Sequence, residues 1–156
     1  MSAGVSPDHC EAMALNALAF AALRAGGLST KIHVTCDALG NPTQFYLTCG
    51  EAHDLNGADV LLANVQADAF LADKAYDAQQ RVIEKLQQKG CQVVIPSKSN
   101  RTQLRDYDRE LYKARHLIEN FFAKLKQYRA IATRYDKTAI NFLGAIYLAA
   151  SVVWLN

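Results

Sequence analysis

Residues 112–126 read YKARHLIENFFAKLK, and this stretch separates into two faces when it is wound as a helix. Its apolar face, extended by the preceding residue, consists of Leu111, Ala114, Leu117, Ile118, Phe121, Phe122 and Leu125. An apolar stripe of this width predicts a helix that packs on a core. Tyr112, Arg115, Glu119 and Lys126 fall within about 60° of one another by the 3.6-residue repeat. One carboxylate therefore shares a polar strip with two cations and a phenol.

Two interpretations of this polar strip are open. A helix face that carries mixed charges is most often only solvated, without a specific role. The spacing Tyr-x2-Arg-x3-Glu-x6-Lys is more specific, because it places four residue types at four fixed positions. The spacing therefore favours a functional strip if other parts of the chain support it.

Length and composition indicate one soluble globular domain. The chain has 156 residues, of which 51% are hydrophobic and 21% are charged. No basic segment precedes an apolar core at the N-terminus, which argues against a secretory signal. The four cysteines, Cys10, Cys36, Cys49 and Cys91, show no Cys-x-x-Cys spacing. This scatter argues against a zinc site or a disulfide framework, and it fits reduced thiols in a cytosol.

The net charge of +2 is unevenly distributed along the chain. Residues 96–137 contain eleven Lys and Arg but five Asp and Glu, a net charge of +6, so the rest of the chain carries −4. Such a local excess around the polar strip is typical of a surface that contacts nucleic-acid phosphates.

The N-terminal segment, residues 1–25, differs in composition and pattern from the rest of the chain. Asp8 can cap a helix over residues 11–24, which are rich in alanine and leucine, and Gly26 would end it. From Lys31 the pattern changes to alternation. Residues 31–36 and 44–48 predict two strands of an antiparallel hairpin around the turn at residues 37–42.

The middle of the chain alternates helices with short apolar runs. A helix is expected from Asp54 or Asn56 to about Val65, and a second one from Asp77 to Gly90. Residues 69–72 and 92–95 predict short strands joined by a right-handed parallel crossover. Such alternation predicts a mixed sheet with helices on its faces.

The tail contains seventeen uncharged residues, 139–155. This length is at the lower limit for a membrane span, and the run comes after a soluble α/β pattern. A helix packed on the domain is the favoured interpretation, with a membrane span as the alternative.

Six further stretches accompany the polar strip: GGLSTKIH (26–33), DALGNP (37–42), LTCGEAHD (47–54), FLADKAYD (70–77), IPSKSNR (95–101) and ATRYDKTAINF (132–142). Together with the Tyr-Arg-Glu-Lys spacing, they resemble the DDE catalytic domain of insertion-sequence transposases. The resemblance covers residues 26–156, and residues 1–25 remain a divergent segment that we expect to be helical.

This resemblance implies a ribonuclease-H-like fold, a mixed sheet with flanking helices, and a role in DNA transposition. In the family, three acids bind two divalent metals, Mg²⁺ by expectation, for phosphodiester cleavage and strand transfer. Two metals held by hard carboxylate oxygens can stabilise both the attacking and the leaving oxygen. Asp73, in an Asp-x-x-Tyr pattern with Tyr76, matches the second acid, and Glu119 matches the last one. Both are thus expected to be catalytic metal ligands.

The basic residues would then contact the DNA backbone. The expected DNA-binding residues are Arg115, Lys126, Tyr112, Lys98 and Arg101. Lysine and arginine contacts to phosphates position a duplex without reading its sequence. DNA is therefore the expected partner, a homo-oligomer is compatible with the family, no membrane partner is expected, and the bacterial cytosol is the expected location.

One part of the family pattern is missing. The first acid ordinarily lies on a central strand upstream of the hairpin, and the residues there predict a helix instead. Asp8 and Glu11 are the only acids upstream of the hairpin, whereas Asp37 and Asp54 lie where the family's acids are not the first ligand. The sequence therefore predicts an N-terminally truncated or frame-shifted transposase whose first strand is missing or degraded.

Three functions stay open on these grounds. The first is a transposase with two of its three acids, and the second is a non-catalytic remnant that only binds DNA. The third is a ribonuclease-H-like nuclease with another task, against which the complete Tyr-Arg-Glu-Lys spacing argues.

Overall fold

A five-stranded mixed sheet forms the centre of the protein. The computed structural model describes residues 15–25 and 28–155. The strands are β1 (Leu15–Ala25), β2 (Leu28–Cys36), β3 (Pro42–Cys49), β4 (Ala69–Ala72) and β5 (Gln92–Val94). They lie in the order β3-β2-β1-β4-β5, with β1 antiparallel to β2 and parallel to β4, and with β4 parallel to β5.

Helices pack on both faces of this sheet, as the sequence predicts. They are α1 (Leu55–Leu61), α2 (Glu84–Gln88), α3 (Arg109–Lys113), α4 (His116–Leu125), α5 (Arg129–Ala132) and α6 (Ala139–Leu155). On one face, Leu71 of β4 shares a core with Ile118 of α4 and Phe142 of α6. On the other face, Phe70 shares a core with Leu61 of α1. Successive residues of a strand point to opposite faces, which is why neighbours on β4 belong to different cores.

The prediction of a helix near the N-terminus is wrong for residues 15–25, and so is the prediction that the first strand is missing. This segment is β1, the central strand of the sheet. Intrinsic helix propensity is a weak preference that tertiary context overrides. Between β2 and β4 the segment forms ladders on both sides, and Ala17, Leu18 and Ala19 are buried there. The predicted cap at Asp8 and the stop at Gly26 lie outside the described residues.

The hairpin and the parallel crossover are confirmed. β2 and β3 pair antiparallel around a turn in which the Asp37 carboxylate accepts hydrogen bonds from the backbone N–H groups of Leu39 and Asn41. Gly40 in this turn has a φ of 85°, a left-handed conformation that glycine adopts without strain. The chain then leaves β4 and returns through α2 to the parallel strand β5.

The predicted helix over residues 112–126 is divided into α3 and α4. At the junction, the N–H of Ala114 bonds to the carbonyl of Leu111 and that of Arg115 to the carbonyl of Tyr112. These bonds span three residues instead of four, so the chain winds more tightly for one step. The apolar face survives this step, because Ile118, Phe121, Phe122 and Leu125 are all buried.

The tail forms α6, as predicted, and it packs on the domain. Phe142, Ile146 and Ala149 are buried in the core that α4 also covers. The opposite side of α6 exposes Leu148 and Trp154. Among the described residues, no helix has the length and apolar character that crossing a membrane requires.

Candidate functional site

Asp73 lies directly after β4, at the carboxyl end of the strand. Its backbone is extended, and its Oδ1 accepts a hydrogen bond of 3.2 Å from the N–H of Ala75. This bond makes Asp73 the cap of a short 3₁₀ turn, Lys74–Tyr76. The side chain remains 42% exposed, and its second oxygen, Oδ2, lies 3.8 Å from Nη1 of Arg115. Asp73 therefore combines a local capping role with a contact to a distant segment.

Arg115 connects Asp73 to Glu119. It lies at the tight step before α4, and its Nη2 donates a hydrogen bond to Oε1 of Glu119 one turn further on. The same guanidinium group thus contacts two carboxylates that are 46 residues apart in the sequence. Arg115 is only 21% exposed, whereas the Glu119 side chain is 56% exposed. We call Asp73, Arg115 and Glu119 the acid–arginine site.

Tyr112 covers one side of the acid–arginine site. The Arg115 guanidinium carbon lies 5.6 Å from the centre of the Tyr112 ring, within the range of a cation–π contact. The ring of Tyr107 meets Tyr112 edge-on at 5.4 Å. Burial raises the pKa of Tyr112, with Asp73 adding to the shift and Arg115 opposing it. The phenol is therefore neutral at physiological pH and can act as a hydrogen-bond donor.

The predicted DNA-binding cations fall into two groups. Across residues 15–25 and 28–155, the ammonium groups of Lys98 and Lys126 form no hydrogen bond or ion pair. The guanidinium groups of Arg115 and Arg101 are both committed to carboxylates, Arg101 to Asp77. The polar strip therefore has two parts. Arg115 is ion-paired, whereas Lys126, at the end of α4, has no ion-pair partner among the described residues.

Asp77 is a structural residue that the sequence pattern does not identify. Its side chain is fully buried, and it accepts hydrogen bonds from Arg101, Arg105 and the backbone N–H of Lys98. Burial alone would raise the pKa of Asp77, but the bonds from Lys98, Arg105 and Arg101 outweigh it and hold the pKa below its usual value. Asp77 therefore anchors the segment that leads from β5 to α3. An acid followed by arginines more than twenty residues later carries no recognisable sequence signal.

Ala19 follows the last residue of β1 that pairs with β4. Leu18 of β1 lies beside Ala72 of β4, so the next residues along these parallel strands are Ala19 and Asp73. Ala19 is buried in the core that contains Ile118 of α4. An acid at this position of β1 would face the same helix as Asp73 does. The central strand of the sheet is therefore present, with alanine at position 19.

The other acids considered for the missing position are engaged elsewhere. Asp37 accepts bonds within the hairpin turn. Asp54 forms an ion pair of 2.6 Å with Lys31. Neither contacts Arg115, and Asp8 lies outside the described residues.

The described residues do not fit a two-metal centre. Two carboxylates converge at the acid–arginine site, and both already contact a cation. In the described part of the chain, no group of three or more His, Cys, Asp or Glu side chains is arranged to hold a metal ion. Two divalent cations carry a charge that two carboxylates cannot balance, and Arg115 increases the imbalance.

Comparison with known proteins identifies the family of this chain. The family described as "Transposase DDE domain" matches residues 24–154. A Brucella ovis protein, described as a putative transposase for insertion sequence element IS6501, is 36% identical over 130 residues, which cover 83% of this chain and all of that protein.

Solved structures share the fold at low sequence identity. The HTLV-2 integrase catalytic core domain aligns with a TM-score of 0.52 at 12% identity, over 87% of this chain and 82% of that one. A chain of the simian T-cell lymphotropic virus intasome aligns with a TM-score of 0.58 at 13% identity, over 87% of this chain and 46% of that one. These likenesses concern the fold alone, and they confirm the ribonuclease-H-like sheet. On the family match and the identity to the Brucella ovis protein, this chain belongs to the transposase DDE domain family.

Proposed function

We propose that this protein acts in DNA transposition as a DDE-domain protein that binds DNA through its basic segment, and that it does not cut DNA by itself. Asp73 and Glu119 are two acids of the family's catalytic set, and Mg²⁺ is the metal that a complete set would take. The convergence of these acids on one guanidinium group, from distant segments, carries the assignment. The alanine at position 19 of the central strand supports the lack of cleavage.

DNA binding is assigned first to cations without an internal partner. A lysine that neutralises a phosphate releases a counterion, and this release drives sequence-independent binding. Lys98 and Lys126 can contact phosphates without breaking an ion pair of the protein. Arg101 and Arg115 would first have to give up their carboxylate partners, so their contribution is smaller. Tyr112 is neutral and half-buried, and it contributes by positioning Arg115.

The salt dependence of DNA binding tests this assignment. The affinity for a duplex of arbitrary sequence is measured over a range of salt concentrations with EDTA present. The double variant Lys98→Ala/Lys126→Ala should make the negative slope of log affinity against log salt shallower by about two units, because two phosphate contacts are lost.

The matched control is Lys85→Ala/Lys113→Ala, which removes the same charge from lysines paired with Asp59 and Glu110. This control should leave the slope almost unchanged. Equal slopes for the two double variants would show that the unpaired lysines are not the phosphate contacts.

A second candidate function is a fully active transposase, and one specific feature keeps it open. Asp8 is one of the two acids upstream of the hairpin, and a carboxylate from this position is the alternative source of a third acid. Nicking and strand-transfer assays in Mg²⁺ and in Mn²⁺ compare the wild type with Asp8→Ala and Glu119→Ala. We expect no activity in any of the three. Activity that requires both Asp8 and Glu119 would establish the active enzyme, and activity that requires Glu119 alone would mean that another acid supplies the missing ligand.

A further inference from the structure

The end of α2 shows how this chain terminates a helix with glycine. The N–H of Gly90 bonds to the carbonyl of Gln87, and the N–H of Cys91 bonds to the carbonyl of Leu86. This pair of bonds forms a Schellman motif, which places the first residue after the helix cap in the left-handed conformation. Gly90 has a φ of 75°, which glycine adopts without strain because it has no Cβ atom.

The end of α5 has the same motif with an arginine in the glycine position. The N–H of Arg134 bonds to the carbonyl of Ile131, and the N–H of Tyr135 bonds to the carbonyl of Ala130. Arg134 has a φ of 45°, and within residues 15–25 and 28–155 it is the only residue other than glycine with a positive φ. A side chain strains the backbone in this conformation, and such strain is concentrated at functional sites. The arginine side chain is therefore expected to have a role that glycine could not fill.

The side chain of Arg134 is fixed in place but has no polar partner in the described part of the chain. Its guanidinium carbon lies 5.6 Å from the centre of the Phe142 ring, and Phe142 is fully buried. Its Nε–H is buried and forms no hydrogen bond with a described residue, an arrangement that does not serve stability. The residue as a whole is only partly buried, so the guanidinium group is not sealed from solvent. A guanidinium group that is oriented by an aromatic ring and keeps its N–H donors is suited to bind a phosphate.

The segment around Arg134 carries positive charge that the protein does not balance. Residues 124–137 contain five lysines and arginines and a single acid, Asp136, a net charge of +4. None of these five cations forms an ion pair with a described residue. The earlier part of the basic segment differs, because four of its cations are paired with carboxylates: Arg101, Arg105, Lys113 and Arg115. Uncompensated positive charge of this kind attracts a polyanion such as the DNA backbone.

We propose that Arg134 is a phosphate contact of the DNA-binding surface, and that the turn between α5 and α6 holds it in a strained conformation for this purpose. The exposed lysines of residues 124–137 add attraction without a fixed orientation, whereas Arg134 supplies an oriented contact. The inference rests on the proposed function, because it takes DNA as the partner.

The variant Arg134→Gly tests the inference, because glycine fits the left-handed position and only the side chain is removed. The affinity for a duplex of arbitrary sequence is measured over a range of salt concentrations, with EDTA present and far below the unfolding temperature. Arg134→Gly should bind about tenfold more weakly than the wild type, because one charge-assisted hydrogen-bonded contact is lost. The negative slope of log affinity against log salt should become shallower by about one unit. The melting temperature should be unchanged or higher.

The matched control is Arg129→Gln, which removes an equal charge from an exposed residue of α5 in the same segment. Its affinity should fall only about twofold, since an exposed charge without a direct contact is screened by salt. Arg134→Lys keeps the charge but lacks the planar fork, and it should bind with intermediate affinity.

Three results would overturn the inference: an unchanged affinity and slope in Arg134→Gly, an equal loss in Arg129→Gln, or wild-type affinity in Arg134→Lys. A wild type that binds DNA without salt dependence would overturn the proposed function as well. A wild type whose slope becomes shallower in Lys98→Ala/Lys126→Ala but not in Arg134→Gly would overturn this inference alone.

Discussion

Two clusters of acids and arginines contain aspartates that are four residues apart, Asp73 and Asp77, and the clusters differ in burial and in charge balance. At Asp77, one fully buried carboxylate accepts bonds from two arginines. At the acid–arginine site, two half-exposed carboxylates share one arginine. The first arrangement leaves no carboxylate oxygen exposed to solvent, whereas the second keeps acid oxygens accessible with a net negative charge. The same residue types therefore build a structural anchor in one place and a candidate reactive site in the other.

The largest expected effect is the difference in stability between the two aspartates. Asp77→Asn should lower the free energy of unfolding by about 3–5 kcal/mol, because it leaves two arginines without their buried partner. Asp73→Asn should cost less than about 1 kcal/mol, since its partner is distant and the side chain is half-exposed. Urea unfolding of both variants beside the wild type measures the difference. Similar losses for the two variants would remove the distinction between anchor and site.

Asp77 and the buried His33 should affect the stability of the protein in different ranges of pH. Burial lowers the pKa of His33 from 6.5 to about 4, while Asp54 opposes the shift and Lys31 adds to it. The unfolded chain therefore binds a proton first, and stability falls by up to about 3 kcal/mol as the pH drops from 6.5 to 4. Asp77 has a lowered pKa, so its contribution is present above pH 3.8 and is lost only below it.

Unfolding free energies at pH values from 7.5 to about 3 test these two windows. His33→Gln should flatten the dependence between pH 6.5 and 4, and Asp77→Asn should flatten only the part below pH 3.8. If Asp77→Asn removed the loss at the higher pH, the anchor would titrate in a different range from the one that its hydrogen bonds imply.

The smallest effect is expected for the Glu119 carboxylate. Glu119→Gln removes an exposed pair between residues four apart on a helix, which contributes about 0.3–0.5 kcal/mol. Its stability should therefore remain within about 0.5 kcal/mol of the wild type, and Glu110→Gln, at another exposed pair on α3, serves as the matched control. A loss well above that of Glu110→Gln would show that Glu119 stabilises the fold and is not kept for its chemistry.

The chain's local patterns predict most elements that surround the site. The hairpin, the strand before Asp73 and the buried face of α4 are confirmed, because alternation and 3.6-residue periodicity are properties of neighbouring residues. Asp73 and Glu119 each contact Arg115 in the structure. The roles of both acids in catalysis stay a prediction.

The central strand could not be predicted in this way. Residues 15–25 favour a helix by composition, yet they form β1 because β2 and β4 supply hydrogen-bond partners on both sides. The division between α3 and α4 could not be predicted from the sequence either, since a single tighter step leaves the apolar face of the helix intact. The anchor at Asp77 depends on ion pairs with Arg101 and Arg105. No spacing in the sequence indicates that these arginines lie close to Asp77.

The sequence by itself determined the family and the surplus of positive charge around Glu119, because these are carried by residue type and spacing. Only the tertiary structure decided that residues 15–25 form the central strand β1, that Arg115 contacts both Asp73 and Glu119, and that Arg101 pairs with Asp77. The physical reason is that strand pairing and ion pairing depend on distances between segments that are remote in the chain.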